Sequence, residues 1–219
     1  MVNEIRLRLA ASAASKEKRL AALLAGRADI VLGDAVRQAQ VAGSLALSGR
    51  PLTDVTGLMR ALDAVEPRAP LTVEALRAWH RAATGASGFR STDAERPGAT
   101  PPAPPEFIAG RLAILEQWMN APSAAELTAS QQGALALARV VEVKPFDDGN
   151  GLVSRLAASH LMVRAGARPP ILAPADGPRL LEALQAAFQL HTEPLAALLE
   201  EAAERALDVM IKEAERTTR

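Results

Sequence analysis

Apolar residues recur every three or four positions through most of this chain, and that spacing constrains the fold more than any other feature. It is clearest near the C-terminus, where Leu195, Leu198, Leu199, Ala202, Ala206 and Val209 fall on one side of a helix over 193–216. The same period predicts helices over 3–26, carrying Leu20, Leu23 and Leu24, and over 29–48, as one helix or a pair. It continues after Thr53 with Val55, Leu58, Met59 and Leu62, and after Thr72 with Val73, Leu76, Trp79, His80 and Ala83. Ile108, Leu112, Leu115 and Met119 mark another helix, and one more runs to Val143. Thr53 and Thr72 suit N-caps, and Ser123 with Glu126 has capping-box spacing. Asp147 or Asp148 is placed to cap a helix over about 149–165 bearing Leu152, Leu156, His160 and Val163, and a further helix is expected over 177–191. Alanine and leucine abound and aromatics make up 3% of the chain, so propensity agrees with period. The expected fold is all-α.

Two kinds of residue interrupt it. Gly49 and Pro51 end the helix over 29–48, and Pro169 with Pro170 end the one before 177. Between Gly85 and Pro105 the period fails altogether, and five prolines stand in the last nine residues of that stretch. It is expected to be an irregular loop or short β-hairpin followed by polyproline-like chain. It reads either as a linker or as a functional flap, being long for a plain loop inside a compact domain.

The 219 residues suit one domain with a possible extension, divided here into an N-terminal helix, 1–28, and a helical domain, 29–219. With 25 basic and 25 acidic residues, no nucleic-acid footprint or anionic membrane partner is expected. The absence of cysteine fits a reducing, cytoplasmic setting. The first residues lack the apolar core of a signal peptide, and no run approaches the roughly 18 apolar residues of a membrane span. Oligomeric state is not legible.

The chemistry gathers in Lys144-Pro145-Phe146-Asp147-Asp148-Gly149-Asn150-Gly151. A helix start offers unpaired backbone N–H groups and partial positive charge, which suit phosphate. Gly149 and Gly151 permit close backbone approach, and Asn150 can donate or take a left-handed turn. Arg155 follows Gly151 by four residues, so its guanidinium returns to the same face. Asp148 is placed to hold Mg²⁺ against phosphates. The plainer reading is a good helix start with a surface arginine.

The segment KPFDDGNGLVSR resembles the signature of the Fic (Fido) family, His-Pro-Phe-x-Asp/Glu-Gly-Asn-Gly-Arg-x-x-Arg, at Pro145, Phe146, Asp148, Gly149, Asn150, Gly151 and Arg155. LTVEALRAWHRAATG with Gly88-Phe89-Arg90, PPEFIAGRLAILEQWMN and EPLAALLEEAAERAL are similar to neighbouring family segments, so the resemblance covers roughly 30–210. It implies an all-helical fold and transfer of AMP from ATP to a Ser, Thr or Tyr hydroxyl of a target protein. It implies that Asp148 places Mg²⁺, that Gly149, Asn150 and Gly151 cradle phosphates, and that Arg155 holds the outer ones. Phe146 would anchor the loop, and the flap at Gly88, Phe89 and Arg90 would dock the target as an added strand.

Two signature positions differ: Lys144 stands where the family has its general-base histidine, and Leu152 replaces an arginine. Free lysine titrates near 10.4, so only about one in a few thousand is neutral at pH 7, whereas a base must be unprotonated. Lys144 therefore reads as a phosphate-binding cation, as a partner of Asp147 or Asp148, or, less in keeping with the spacing, as a nucleophile. Leu152 reads as a core residue. The family's inhibitory helix, Ser/Thr-x-x-x-Glu-Gly/Asn, is matched by Ser44 and Gly49, with Ser48 in the glutamate's place. Arg155 would then lack a restraining carboxylate. His80 reads as structural, His160 and His191 as packing or surface residues, and Trp79 and Trp118 as core. Three functions fit: an atypical Fic transferase, a Fic-fold pseudoenzyme that binds nucleotide, another anion or a partner, and an enzyme repurposed to a small phosphate-containing molecule. The chain has no tyrosine, so self-modification would fall on Ser or Thr.

Overall fold

The computed structural model describes residues 2–25, 27, 32–51, 54–95 and 101–217, leaving aside the side chains of 2–7. Thr53, the start of the helix expected over 29–48, the boundary at 28 and the middle of the 85–105 segment (96–100) lie outside these residues. The described chain is helical: α1 Val2–Leu24, α2 Gly33–Leu47, α3 Val55–Asp63, α4 Val73–Thr84, α5 Ile108–Asn120, α6 Ala129–Val143, α7 Asn150–Arg164, α8 Gly177–Ala187 and α9 Glu193–Thr217. No strand occurs among the described residues, so what is described of the flap is irregular rather than a hairpin.

The helix ends show why these segments stop and start where they do. The Thr72 hydroxyl accepts from the Ala75 N–H at 3.0 Å, as expected. The capping box of α6, however, is Thr128 with Gln131, and Pro122–Glu126 around the expected Ser123 pair is a separate 3₁₀ turn. Either pair fits the Ser/Thr-x-x-Glu/Gln pattern; the one that precedes the helical run makes both bonds. At the end of α2, Gly49 takes φ 63° and donates to the Ala46 carbonyl, while Arg50 donates to that of Leu45. This is a Schellman ending, and it throws Arg50 back toward α7. The last helix before α9 is shorter than expected: α8 ends at Ala187, and Leu190 closes the turn at φ 67°.

The helical hairpin α6–α7 is the centre of the molecule. From Leu152 to Met162 every residue of α7 is buried except Arg155, so this helix is packed on nearly all sides. One face of the hairpin joins Leu45, Leu58, Leu76, Trp79, Ile108, Leu112, Leu115, Val140 and Phe146. The other joins Leu172, Leu195, Leu198 and Leu199 from the chain before α8 and from α9. Helix α1 packs on the far end of α9 through Leu20, Leu207, Ile211 and Ala214. It is also tied there by Lys16 to Glu204 and Asp208. Trp79 is 2% exposed, but Trp118, also expected in the core, is 56% exposed. The buried stripe of α5 runs through Ile108, Leu112, Leu115 and Met119, and Trp118 lies beside it.

Candidate functional site

The loop joining α6 to α7 is held from three sides, and each restraint can be traced to a residue type. Lys144 ends α6 in the left-handed region, φ 48° and ψ 62°, a strained place for a residue with a Cβ. The Phe146 ring, fully buried, lies parallel to His80 with centroids 3.8 Å apart and meets Phe89 at 5.8 Å. His80 in turn bonds the Asp148 carbonyl through Nε2 at 3.0 Å, so its structural role extends to fixing this loop. Burial holds the His80 imidazole below its ordinary pKa, which keeps it neutral. The Asn150 side chain closes the loop on itself: its carbonyl accepts from the Phe146 N–H at 2.9 Å and its amide donates to the Phe146 carbonyl at 2.7 Å. One amide hydrogen of that side chain is thereby used, and the second is left toward the cleft that Asn150 lines.

Gly149 is where the loop requires a glycine. Its φ is 75°, and a Cβ there would stand 2.8 Å from the Thr84 methyl and 3.3 Å from the His80 ring. It occupies the N-cap of α7 itself, so neither Asp147 nor Asp148 caps the helix. One Asp148 oxygen accepts from the adjacent Gly149 N–H at 2.6 Å, and the other pairs with Arg50. Arg50, brought there by the Schellman ending of α2 and paired also with Asp54, is a site residue that the sequence reading did not contain. Local spacing could not find it, because it is 98 positions from Asp148.

Gly88, Phe89 and Arg90 were expected in a target-docking flap. Phe89 packs against Phe146, and Arg90 is 3% exposed. The Arg90 side chain donates to the carbonyls of Lys144 (2.7 Å), Thr92 (2.6 Å), Val143 (3.4 Å) and Ala103, and its N–H donates to the Pro145 carbonyl at 2.9 Å. Arg90 thus staples both ends of the flap to the end of α6.

Above the loop opens a cleft of about 460 Å³, within the range of small-ligand sites. Lys144, Asn150, Gly151, Ser154 and Arg155 line one side; Leu47, Leu137, Val141, Leu180 and Leu184 supply apolar walls, and Glu95 of the flap closes the rim. The first N–H groups of α7 start here without partners in their own helix. The Arg155 guanidinium lies over Gly151, 3.0 Å from where a Cβ would stand, so the expected shared face is real. Burial pushes its pKa down to about 10, which still leaves it charged at neutral pH. Its Nε donates to the Ser44 hydroxyl at 2.7 Å, and its Nη2 to the Ser44 carbonyl at 2.8 Å and to the Ser48 hydroxyl. The Ser44–Ser48 segment therefore meets Arg155 through neutral oxygens. The Lys144 ammonium donates to the Glu95 carbonyl of the flap at 3.0 Å. Leu152 is buried in the core, 1% exposed.

For Mg²⁺, the donor set offers Asp148, whose carboxylate is largely exposed and paired with Arg50, and which is not among the residues that line the cleft. No cluster of three or more His, Cys, Asp or Glu occurs among the described residues. One carboxylate suits Mg²⁺ only where substrate phosphates complete the shell.

Residues 70–162 match the Fic/DOC family. Protein adenylyltransferase Fic of Culex quinquefasciatus is 32% identical over 127 residues, 56% of this chain and 24% of that protein, and the Aedes aegypti protein of the same name matches equally. The chain thus spans about a quarter of the length of these curated relatives. Among solved structures, a Fic domain-containing signalling protein of Bacteroides thetaiotaomicron superposes with a TM-score of 0.78 at 18% identity, covering 94% of this chain and 98% of that one. Fic-1 of C. elegans (residues 134–508) gives 0.74 at 19%, covering 99% and 76%. IbpAFic2, solved in complex with adenylylated Cdc42, gives 0.57 at 15%, covering 93% and 76%. No helix among the described residues is long and apolar enough to cross a membrane.

Proposed function

We propose, from the match of residues 70–162 to the Fic/DOC family, that the chain is an atypical Fic-type transferase. It moves a nucleotidyl group, AMP from ATP in the first instance, to a Ser, Thr or Tyr hydroxyl of a target protein. The observation that carries this reading is the convergence of Lys144, Gly151 and Arg155 on one cleft at the start of α7. The cytoplasm, where ATP and a cysteine-free chain both fit, is its proposed setting.

In this reading the apolar walls take the base and ribose, and the α7 N–H groups with Gly149 and Gly151 take phosphate oxygens. Arg155, released from Ser44 and Ser48, binds the outer phosphates. Asp148, once Arg50 yields its carboxylate, would hold Mg²⁺, which would supply positive charge against the phosphates. The target hydroxyl oxygen attacks the α-phosphorus, the bond to the β-phosphate oxygen breaks, and pyrophosphate departs. Lys144 as an ammonium cannot receive the hydroxyl proton, so that proton passes to a nucleotide phosphate oxygen while Lys144 stabilises the oxygens that gain charge. Phosphoryl-type transfer leans chiefly on positioning and electrostatics, so losing the base slows rather than forbids it. The flap beyond Arg90 presents the target.

A second reading, a nucleotide-binding pseudoenzyme, is favoured by one observation: Lys144 Nζ, at the position of the base, donates to the Glu95 carbonyl of the flap and so acts as a donor rather than an acceptor. Incubation with labelled ATP and Mg²⁺ in lysate separates the two. The transferase reading expects label on protein, lost in Lys144→Ala and raised about 10²–10⁴-fold in Lys144→His, the typical worth of a positioned base. Absence of label in the native chain with its appearance in Lys144→His selects the pseudoenzyme. Absence of both, with no thermal shift from any nucleotide, overturns both readings.

A further inference from the structure

A second cavity lies across α7 from the cleft. It has a volume of about 330 Å³ and opens between α2, the chain after α3 and the far side of α7. Its polar lining is Arg37, Gln40, Asp63, Ser159 and His160, and its apolar walls include Leu62, Val65 and Val163. None of these takes part in the reading given above.

The polar groups here are incompletely used. His160 is 2% exposed, and neither ring nitrogen completes a hydrogen bond. A buried polar group without a partner costs about 1–3 kcal/mol, so its persistence calls for an explanation. The Trp79 ring lies 5.5 Å away, and a neutral imidazole carries a hydrogen on one of its two nitrogens only. The other nitrogen is left with a lone pair, an acceptor. Arg37 spends its charge on Asp63, yet its Nε–H is buried and unpartnered. The Ser159 oxygen accepts from the Gln40 amide at 3.0 Å, so its hydroxyl hydrogen remains to donate. The cavity thus offers two donors, from Arg37 and Ser159, and acceptors at His160 and at the side-chain oxygens of Gln40 and Asp63, between apolar walls, with its arginine paired to the Asp63 carboxylate of the same lining.

We propose that this cavity is a small-molecule site for a primary amide on a compact apolar body, whose carbonyl accepts from Arg37 and Ser159 while its N–H donates to His160. A carboxylate lacks the hydrogen for His160, and an alcohol cannot satisfy both donors and His160 together. The volume, near the lower end for ligand pockets, suits a single ring with one substituent.

Benzamide is the probe, with benzoate and benzyl alcohol as its isosteres. Titration into the full-length protein is followed by the ring NMR signals of His160, identified by their loss in His160→Gln; the chain has three histidines, so the spectrum is simple. The expected result is a saturable shift with benzamide, at least about tenfold weaker binding by each isostere, and a similar loss in Arg37→Met, the typical effect of removing one such partner. Ser159→Ala gives the same answer should Arg37→Met fail to fold. Arg155→Ala, which acts in the other cleft, leaves the titration unchanged. No saturable shift, equal binding of the isosteres, or indifference to both Arg37→Met and Ser159→Ala overturns the proposal. Loss of binding in Arg155→Ala would place the probe in the nucleotide cleft and overturn it as well.

Discussion

Phe146→Ala should cost about 4 kcal/mol of folding stability, because the ring is a structural plug rather than a cleft-lining group. It is fully buried. Truncation to alanine strips roughly 130 Å² of buried apolar surface from a large aromatic side chain. At about 25 cal/mol per Å², that amounts to ~3 kcal/mol. The parallel stack on His80, with 3.8 Å between centroids and 3° between planes, adds about 1 kcal/mol. The neighbours cannot collapse into the void, since His80 is tied to the Asp148 carbonyl and Arg90 staples the other side. Phe146→Leu keeps most of the area and loses the stack, so it should cost only about 1–2 kcal/mol. Urea unfolding of the three proteins, followed by tryptophan fluorescence, measures all of this. A loss below about 2 kcal/mol for alanine, or equal losses for alanine and leucine, would refute the plug.

Lys144→Gly should raise stability by up to about 1 kcal/mol, measured as an increase in Tm, because glycine holds φ 48° without strain while giving back part of the gain as unfolded-state entropy. A fall in Tm would show that the Lys144 contact with Glu95 outweighs the strain. Arg90→Ala should cost about 3 kcal/mol by orphaning buried carbonyls of both flap ends, and limited proteolysis should then cut within 85–105 sooner than in the native protein. Acid should destabilise the fold through His80 and His160, both held below their ordinary pKa chiefly by burial. The unfolded chain takes up their protons first, so stability is present above about pH 6.5 and is lost as pH falls below it. His160→Gln should flatten that slope in a series of urea titrations, and an unchanged slope would count against a buried neutral imidazole.

How far the site could be read in the sequence depends on the range of each interaction. The Thr72 cap, the Arg155–Gly151 face and the burial of Leu152 involve residues within four positions or a single periodic stripe, and each appears as expected. Where two local patterns competed, the reading chose wrongly. Ser123-x-x-Glu126 and Thr128-x-x-Gln131 have the same form, and the sequence does not say which one the hairpin geometry of α6 will use. The expected aspartate cap failed because Gly149, free to adopt φ 75°, took the N-cap, leaving Asp148 for Arg50. Trp118 was placed in the core on hydrophobicity, but one step around α5 leaves it mostly exposed.

The sequence alone determined that the chain would be helical, where most helices lie, and that a glycine-rich helix start with a lysine at its threshold would follow α6. Those are consequences of period, propensity and short-range backbone chemistry, which need no knowledge of distant residues. Only the tertiary structure decided what holds that helix start and what stands over it. His80 stacks beneath Phe146, Arg90 bonds the end of α6, Arg50 takes Asp148, and Ser44 with Ser48 hold Arg155. These partners come together because α2 and α4 pack on the α6–α7 hairpin, burying apolar faces that the sequence shows. The pairing of individual polar groups is then set by which ones that packing leaves within hydrogen-bond reach.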